Sequence, residues 1–132
     1  GIDDVTGTIP IMGAFGPLPL STAEMEDVTI HFAGNTCAKA DGRMRVRISG
    51  QFAGLNLSQG LSGVATCDGE AVLLPLVSQT GMERLSLRLW RDGRYTAQMR
   101  INGAKSADAG ALAAAGLAQQ GQDYVLSFEG KM

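Results

Sequence analysis

The chain has 132 residues, eleven basic and thirteen acidic, for a net charge of −2. That length suits one domain that buries roughly two-thirds of its unfolded surface, so a core can form without metal or cofactor and none is expected. No basic block is present that could neutralise a run of phosphates, which argues against nucleic-acid binding. No stretch of about 18 apolar residues is present that could span a bilayer.

Apolar residues make up 45% of the chain and aromatics only 5%, so the core must be aliphatic. Eighteen glycines against four prolines point to many turns and close backbone approaches, hence a β-rich design. The chain begins at Gly1 and shows no charged start followed by an apolar run. It therefore reads as a soluble piece of a longer protein whose targeting or anchoring segment lies elsewhere.

Residues 1–26 carry Pro10, Pro17 and Pro19 among Gly7, Gly13 and Gly16, so they are expected as an irregular connector or an edge strand. From residue 27 to 132 the expectation is one antiparallel β domain. Val28, Ile30 and Phe32 alternate with Thr29 and His31, the period of a half-buried strand. Asn35 and Asp41-Gly42 mark a loop carrying Cys37. In the next strand Met44, Val46 and Ile48 share one face while Arg43, Arg45 and Arg47 share the other, which is wet.

Leu61 to Cys67 reads as a weaker strand and Asp68-Gly69 as a two-residue hairpin turn. Ala71 to Val77, apolar on both faces, is expected mid-sheet, with Pro75 hinting at a bulge or an edge. Met82 to Trp90 places Leu85, Leu87 and Leu89 inward and Arg84, Ser86 and Arg88 outward. Asp92-Gly93 turns the chain into a strand carrying Tyr95, Ala97, Met99 and Ile101, ended by Gly103.

Seven alanines in 106–120, with Ser106 or Asp108 as N-cap and Gly121 or Gly116 as the end, predict one helix. A last strand puts Tyr124, Leu126 and Phe128 on the buried face. The fold class is therefore mainly β: a single antiparallel sheet, curved or partly open, in meander order, with one short helix near the C-terminus.

No catalytic constellation emerges, and the chain is read as non-enzymatic. His31 lies on a polar strand face, and one histidine with two distant cysteines does not make a zinc site. Asp27, Asp41, Asp68, Asp92 and Asp123 sit beside turns or strand ends, where aspartate bonds nearby amides. No serine lies in a nucleophile elbow, and no glycine-rich stretch makes a phosphate loop.

Cys37 and Cys67 are either reduced core residues or a disulfide. Their turn-side settings favour a bridge, which would close a loop of about thirty residues and stabilise the fold by roughly 3 to 4 kcal/mol on the chain-entropy model. It would also require an oxidising compartment, periplasmic or extracellular.

The segments CAKADG (37–42), LSGVATCDG (61–69), LLPLVSQTGMERLSLRLWRDGRY (73–95) and ALAAAGLAQQGQDYVLSFEGKM (111–132) together resemble the periplasmic region of the type II secretion system protein N family. The resemblance covers nearly half of the chain and carries no catalytic signature. It implies a protein anchored in the inner membrane by an N-terminal segment absent here, with its bulk in the periplasm. The implied role is accessory and structural, among other components of the secretion machinery, with Cys37 and Cys67 as the family's bridge.

Within that frame Arg43, Arg45 and Arg47 are the candidate surface for an acidic partner, and the free sheet edges could accept a partner strand. The alternative is a periplasmic carrier of apolar ligands such as lipid. It would need Met44, Val46, Ile48, Leu85, Leu87 and Leu89 to line a groove rather than pack together.

Overall fold

The computed structural model of the protein describes residues 2–49, 52, 55, 57–102 and 109–132. Among them run β1 Ile2–Pro10, β2 Leu20–Ala33, β3 Thr36–Ile48, β4 Leu61–Val64, β5 Thr66–Asp68, β6 Ala71–Ser78, β7 Glu83–Leu89 and β8 Arg94–Ile101. The helix α1 Ala109–Ala114 follows, then β9 Ala118–Gln120 and β10 Asp123–Lys131. All ten strands join one antiparallel sheet in the order β1-β2-β3-β4-β6-β7-β8-β10-β9, with β5 paired to β6. It is a meander that departs from chain order where β4 and β5 both pair with β6 and where β10 slips between β8 and β9.

Three of the hairpins are made by glycine in the first position of a two-residue loop. Gly34-Asn35 joins Ala33 to Thr36, Gly69-Glu70 joins Asp68 to Ala71, and Gly121-Gln122 joins Gln120 to Asp123. Their φ angles are 62°, 61° and 63°, the left-handed start that a type II′ turn demands and that glycine reaches without steric cost. The turn expected at Asp68-Gly69 is therefore centred one residue later. Asp92-Gly93 belongs instead to a three-residue loop: Gly93 N–H closes a turn on Trp90 O at 3.0 Å, and the ladder resumes with Trp90 N–H to Arg94 O at 2.9 Å.

Asp41-Gly42 and Cys37, expected in a loop, lie inside the thirteen-residue strand β3. The pairing Glu26↔Arg43 then Thr29↔Asp41 shows an extra residue in β2 at that point. Asp27, with φ of 51°, is that bulge. Gly42 faces it so closely that a β-carbon there would lie 2.4 Å from Asp27 O. The turn-like dipeptide thus marks a bend within a strand pair, where the backbone comes too near for a side chain.

Pro75 sits in a mid-sheet strand without breaking it. Pairing of β6 with β4 ends at Val77↔Ser62, and pairing with β5 begins at Leu73↔Thr66. Pro75 occupies the gap between them. The gap exists because Leu61 to Asp68 is two strands, not one: at Ala65 the chain steps aside and its N–H bonds Gly42 O at 3.0 Å.

The helix is shorter than the alanine run suggests. Gly116 N–H bonds Ala113 O and Leu117 N–H bonds Leu112 O, both at 3.0 Å, with Gly116 at φ of 96°. This is the Schellman ending, completed by its usual apolar pair, here Leu112 and Leu117, both buried. Of the two expected ends Gly116 is therefore the one the helix takes, and residues 118–120, helical only under the Gly121 ending, pair with β10 instead. The proposed caps Ser106 and Asp108, and the strand end at Gly103, lie outside the described residues.

Residues 2–10 form β1, an edge of the sheet, and 11–19 form the irregular connection to β2. Phe15 from that connection meets Tyr95 of β8 edge to face, ring centres 5.0 Å apart. Arg91, in the β7–β8 loop, donates to the carbonyl of Gly34, in the β2–β3 loop. In a flat sheet those elements would stand three to five strand spacings apart, roughly 14 to 24 Å. The sheet therefore curls until its two wings touch, without closing into a barrel.

The inside of the curl is the core. Val46, Leu61, Leu74, Leu76, Leu85, Leu87, Met99 and Ile101 are each 1% exposed. Phe15, Leu18, Phe52, Leu57, Leu112 and Leu117 close over them from the connections and α1. On β10 the expected face is inward but only half-buried: Tyr124, Leu126 and Phe128 pack against the core, while Val125, on the opposite side, is the most buried residue of the strand.

Candidate interaction surface

The three arginines of β3 face solvent-side neighbours on β2: Arg43 is paired with Glu26, Arg45 with Glu24 and Arg47 with Thr22. Cross-strand placement of opposite charges favours this register. The three are not equivalent. Arg47 Nε donates to Glu24 Oε2 at 2.6 Å and its Nη1 to Ser58 O at 3.3 Å. Arg45 Nη1 donates to Gln59 O at 3.1 Å. Both thus fasten the turn after residue 57 to the sheet. Arg43 is exposed and enters no ion pair among the described residues.

The hydrogen bond from Arg47 and the positive charge of both arginines hold the Glu24 carboxyl below its ordinary 4.5, partial burial opposing them. Glu24 in turn raises Arg47 above its ordinary value. The row is therefore a half-neutralised ladder with one uncommitted guanidinium at its middle-sheet end.

Cys37 and Cys67 are joined, with Cα atoms 5.6 Å apart. The bond ties the start of β3 to β5, two strands that share no ladder of their own in the sheet order. A hydrogen bond from Cys37 N–H to Glu70 O at 3.2 Å runs alongside. A disulfide persists in an oxidising environment, and none of the described helices is long and apolar enough to cross a membrane.

His31 Nε2 lies against Asp3 of β1. Thr29, expected beside it on a wet face, is 5% exposed because β1 covers it: its hydroxyl accepts from Asp4 N–H at 3.0 Å. Of the five aspartates read as turn residues, Asp92 fits the description, accepting Arg94 N–H at 3.0 Å. That backbone bond, with help from the Arg94 guanidinium, keeps its carboxyl below the usual 3.8. Asp68 and Asp123 instead pair with Arg88 at 2.8 Å and Arg100 at 2.9 Å. Asp41 pairs with Thr29 inside β3 and Asp27 is the bulge. Among the described residues no three of His, Cys, Asp and Glu gather as a metal would require.

One group escaped the sequence reading. Glu83 is 8% exposed at the start of β7, in phase with Leu85 and Leu87 on the inward face. A carboxylate on the leucine phase of a strand was the available signal. It lines a cleft of 320 Å³ with Leu57, Ser58, Gln59, Gly60, Ser78 and Thr80.

No family model, curated protein or solved structure matches this chain.

Proposed function

We propose that this chain is an accessory assembly module of an oxidising compartment, the periplasm, acting by protein–protein contact within a type II secretion machinery. The observation that carries the reading is a disulfide-stapled open sheet whose apolar side is filled by its own connections. What such a sheet offers a partner is its polar outer face and its two edges. The resemblance of the Cys37–Gly42, 61–69, 73–95 and 111–132 segments to the secretion protein N family supplies the machinery, and the bridge agrees with the compartment. Inner-membrane attachment through a segment outside this chain belongs to the same proposal.

Within the arginine row, Arg43 is the member free to meet an acidic partner, because Arg45 and Arg47 are engaged with the 57–60 turn and Glu24. Arg43→Gln, which removes the charge without setting a carboxylate opposite Glu26, should reduce co-purification with the secretion components while leaving the melting temperature nearly unchanged. Arg47→Glu should lower the melting temperature, since it opposes Glu24 and releases Ser58. Undiminished co-purification of the Arg43→Gln protein would count against this surface.

The carrier alternative needs an open trough under Met44, Val46, Ile48, Leu85, Leu87 and Leu89. Val46, Leu85 and Leu87 are buried and the other three pack on the same core, so no observation favours that reading.

A further inference from the structure

Glu83 sits where a charge is costly. A carboxylate removed from water is ordinarily paired with a cation or bound to a metal, yet Glu83 enters no ion pair among the described residues. Its own turn uses it sparingly. Glu83 N–H donates to Ser78 Oγ at 3.3 Å, Ser78 Oγ stands 3.2 Å from Thr80 Oγ1, and Met82 N–H donates to Thr80 Oγ1 at 3.2 Å. Thr80 Oγ1 then donates its single proton to the carboxylate, 3.3 Å from Oε1 and 3.5 Å from Oε2.

One hydroxyl proton shared between two oxygens leaves most of the roughly four lone-pair sites of a carboxylate unclaimed. The same side chain lines the cleft between the 57–60 turn and the β6–β7 turn. That cleft, at 320 Å³, is at the lower bound of ligand-sized pockets, about 300 Å³. Its walls are mixed: Leu57, 7% exposed, and Gly60 are apolar, while Ser58, Gln59 and Ser78 are polar.

We propose that this cleft receives one basic side chain, the guanidinium of an arginine or the ammonium of a lysine, from a bound protein segment, with Glu83 as its counter-charge. A long basic side chain carries an apolar stem and a charged head, which matches an apolar wall leading to a buried carboxylate. Among the described residues of the cleft Glu83 is the one carboxylate, too few oxygen ligands for calcium or magnesium, which take six or more. The inference rests on the assembly reading for the source of the side chain and adds the chemistry that the partner must display.

The test uses the isolated protein and two blocked amino acids, Nα-acetyl-arginine amide and its uncharged isostere Nα-acetyl-citrulline amide. Titration followed by amide NMR should give saturable shifts confined to residues 57–60 and 78–83 with the arginine probe. The citrulline probe should bind about tenfold more weakly or less, the loss expected when a charge-assisted bond to a buried carboxylate is removed. Glu83→Gln keeps an oxygen for the Thr80 hydroxyl and should bind the arginine probe about tenfold more weakly too. Equal binding of both probes, no saturable shift, or a response reproduced by potassium chloride alone would overturn the proposal. Because no partner is present, failure here leaves the assembly reading standing, and failure of the Arg43 experiment leaves the cleft standing.

Discussion

Gly42 shows how much one backbone position can decide. A β-carbon there would come within 2.4 Å of Asp27 O and 2.5 Å of Val28 Cα, backbone atoms fixed by three paired strands. Gly69 has a similar left-handed φ, but an added β-carbon meets nothing within 4 Å. Gly69→Ala should therefore cost about 1 to 2 kcal/mol, the penalty of the conformation alone. Gly42→Ala should cost roughly 3 kcal/mol or more, because the bulge must also move. Urea melts of the two variants side by side measure the difference, and equal losses would mean that the bulge yields easily.

The Glu24–Arg47 pair makes a second residue-scale prediction, in pH. The Glu24 carboxyl ionises at lower pH in the folded chain than its ordinary 4.5, and Asp92 likewise below 3.8. A depressed carboxyl contributes stability that is fully present above the unfolded value and disappears as pH falls through the folded one. The melting temperature should therefore be level above about pH 5 and fall on acidification. Glu24→Gln should flatten part of that fall.

At the scale of elements, the disulfide does what the ladder does not, fixing β5 to β3 across a break in the sheet. Its loop spans thirty residues, so losing it should cost roughly 3 to 4 kcal/mol on the chain-entropy model. A paired Cys37→Ser, Cys67→Ser variant, and wild-type protein in reductant, should both melt earlier by comparable amounts. Divergence between the two would locate the effect in the serines rather than in the cross-link.

The strands were legible because their signal is local. Alternation in Arg43 to Ile48 and in Arg84 to Leu89 specifies both element and face, and burial follows it at Val46, Leu85 and Leu87. What sequence hid was set by neighbours distant in the chain. Asp41-Gly42 has turn composition, and only the pairing of β2 with β3 makes it a bulge. Ala118, Gln119 and Gln120 lean toward helix, but β10 offers them a ladder and Gly116 has already ended the coil of α1. Glu83 was hidden differently: its phase was plain, and the cleft around it was not.

At the scale of the molecule, stability should be graded across the sheet. The strands β6, β7 and β8 are paired on both sides and carry Leu74, Leu76, Leu85, Leu87, Met99 and Ile101, each 1% exposed, whereas β1 and β9 are paired on one side only. Amide hydrogen exchange should therefore be slowest in β6 to β8 and fastest in β1 and β9, since local opening follows burial and ladder support. Uniform protection would contradict the graded picture.

The two edges are also blunted against unwanted pairing. Register shifts interrupt β1 on both sides of Val5, which pairs with Val28, and β9 is three exposed residues long. Irregular or very short edge strands discourage edge-to-edge association.

The contact between Arg91 and the Gly34 carbonyl has an optical consequence. The chain's single tryptophan, Trp90, immediately precedes Arg91, and its indole lies under the Arg94 guanidinium, 5.3 Å from the ring centre. A native fluorophore thus stands at the spot where the two wings meet, so its emission can report without any label whether docking spreads them apart.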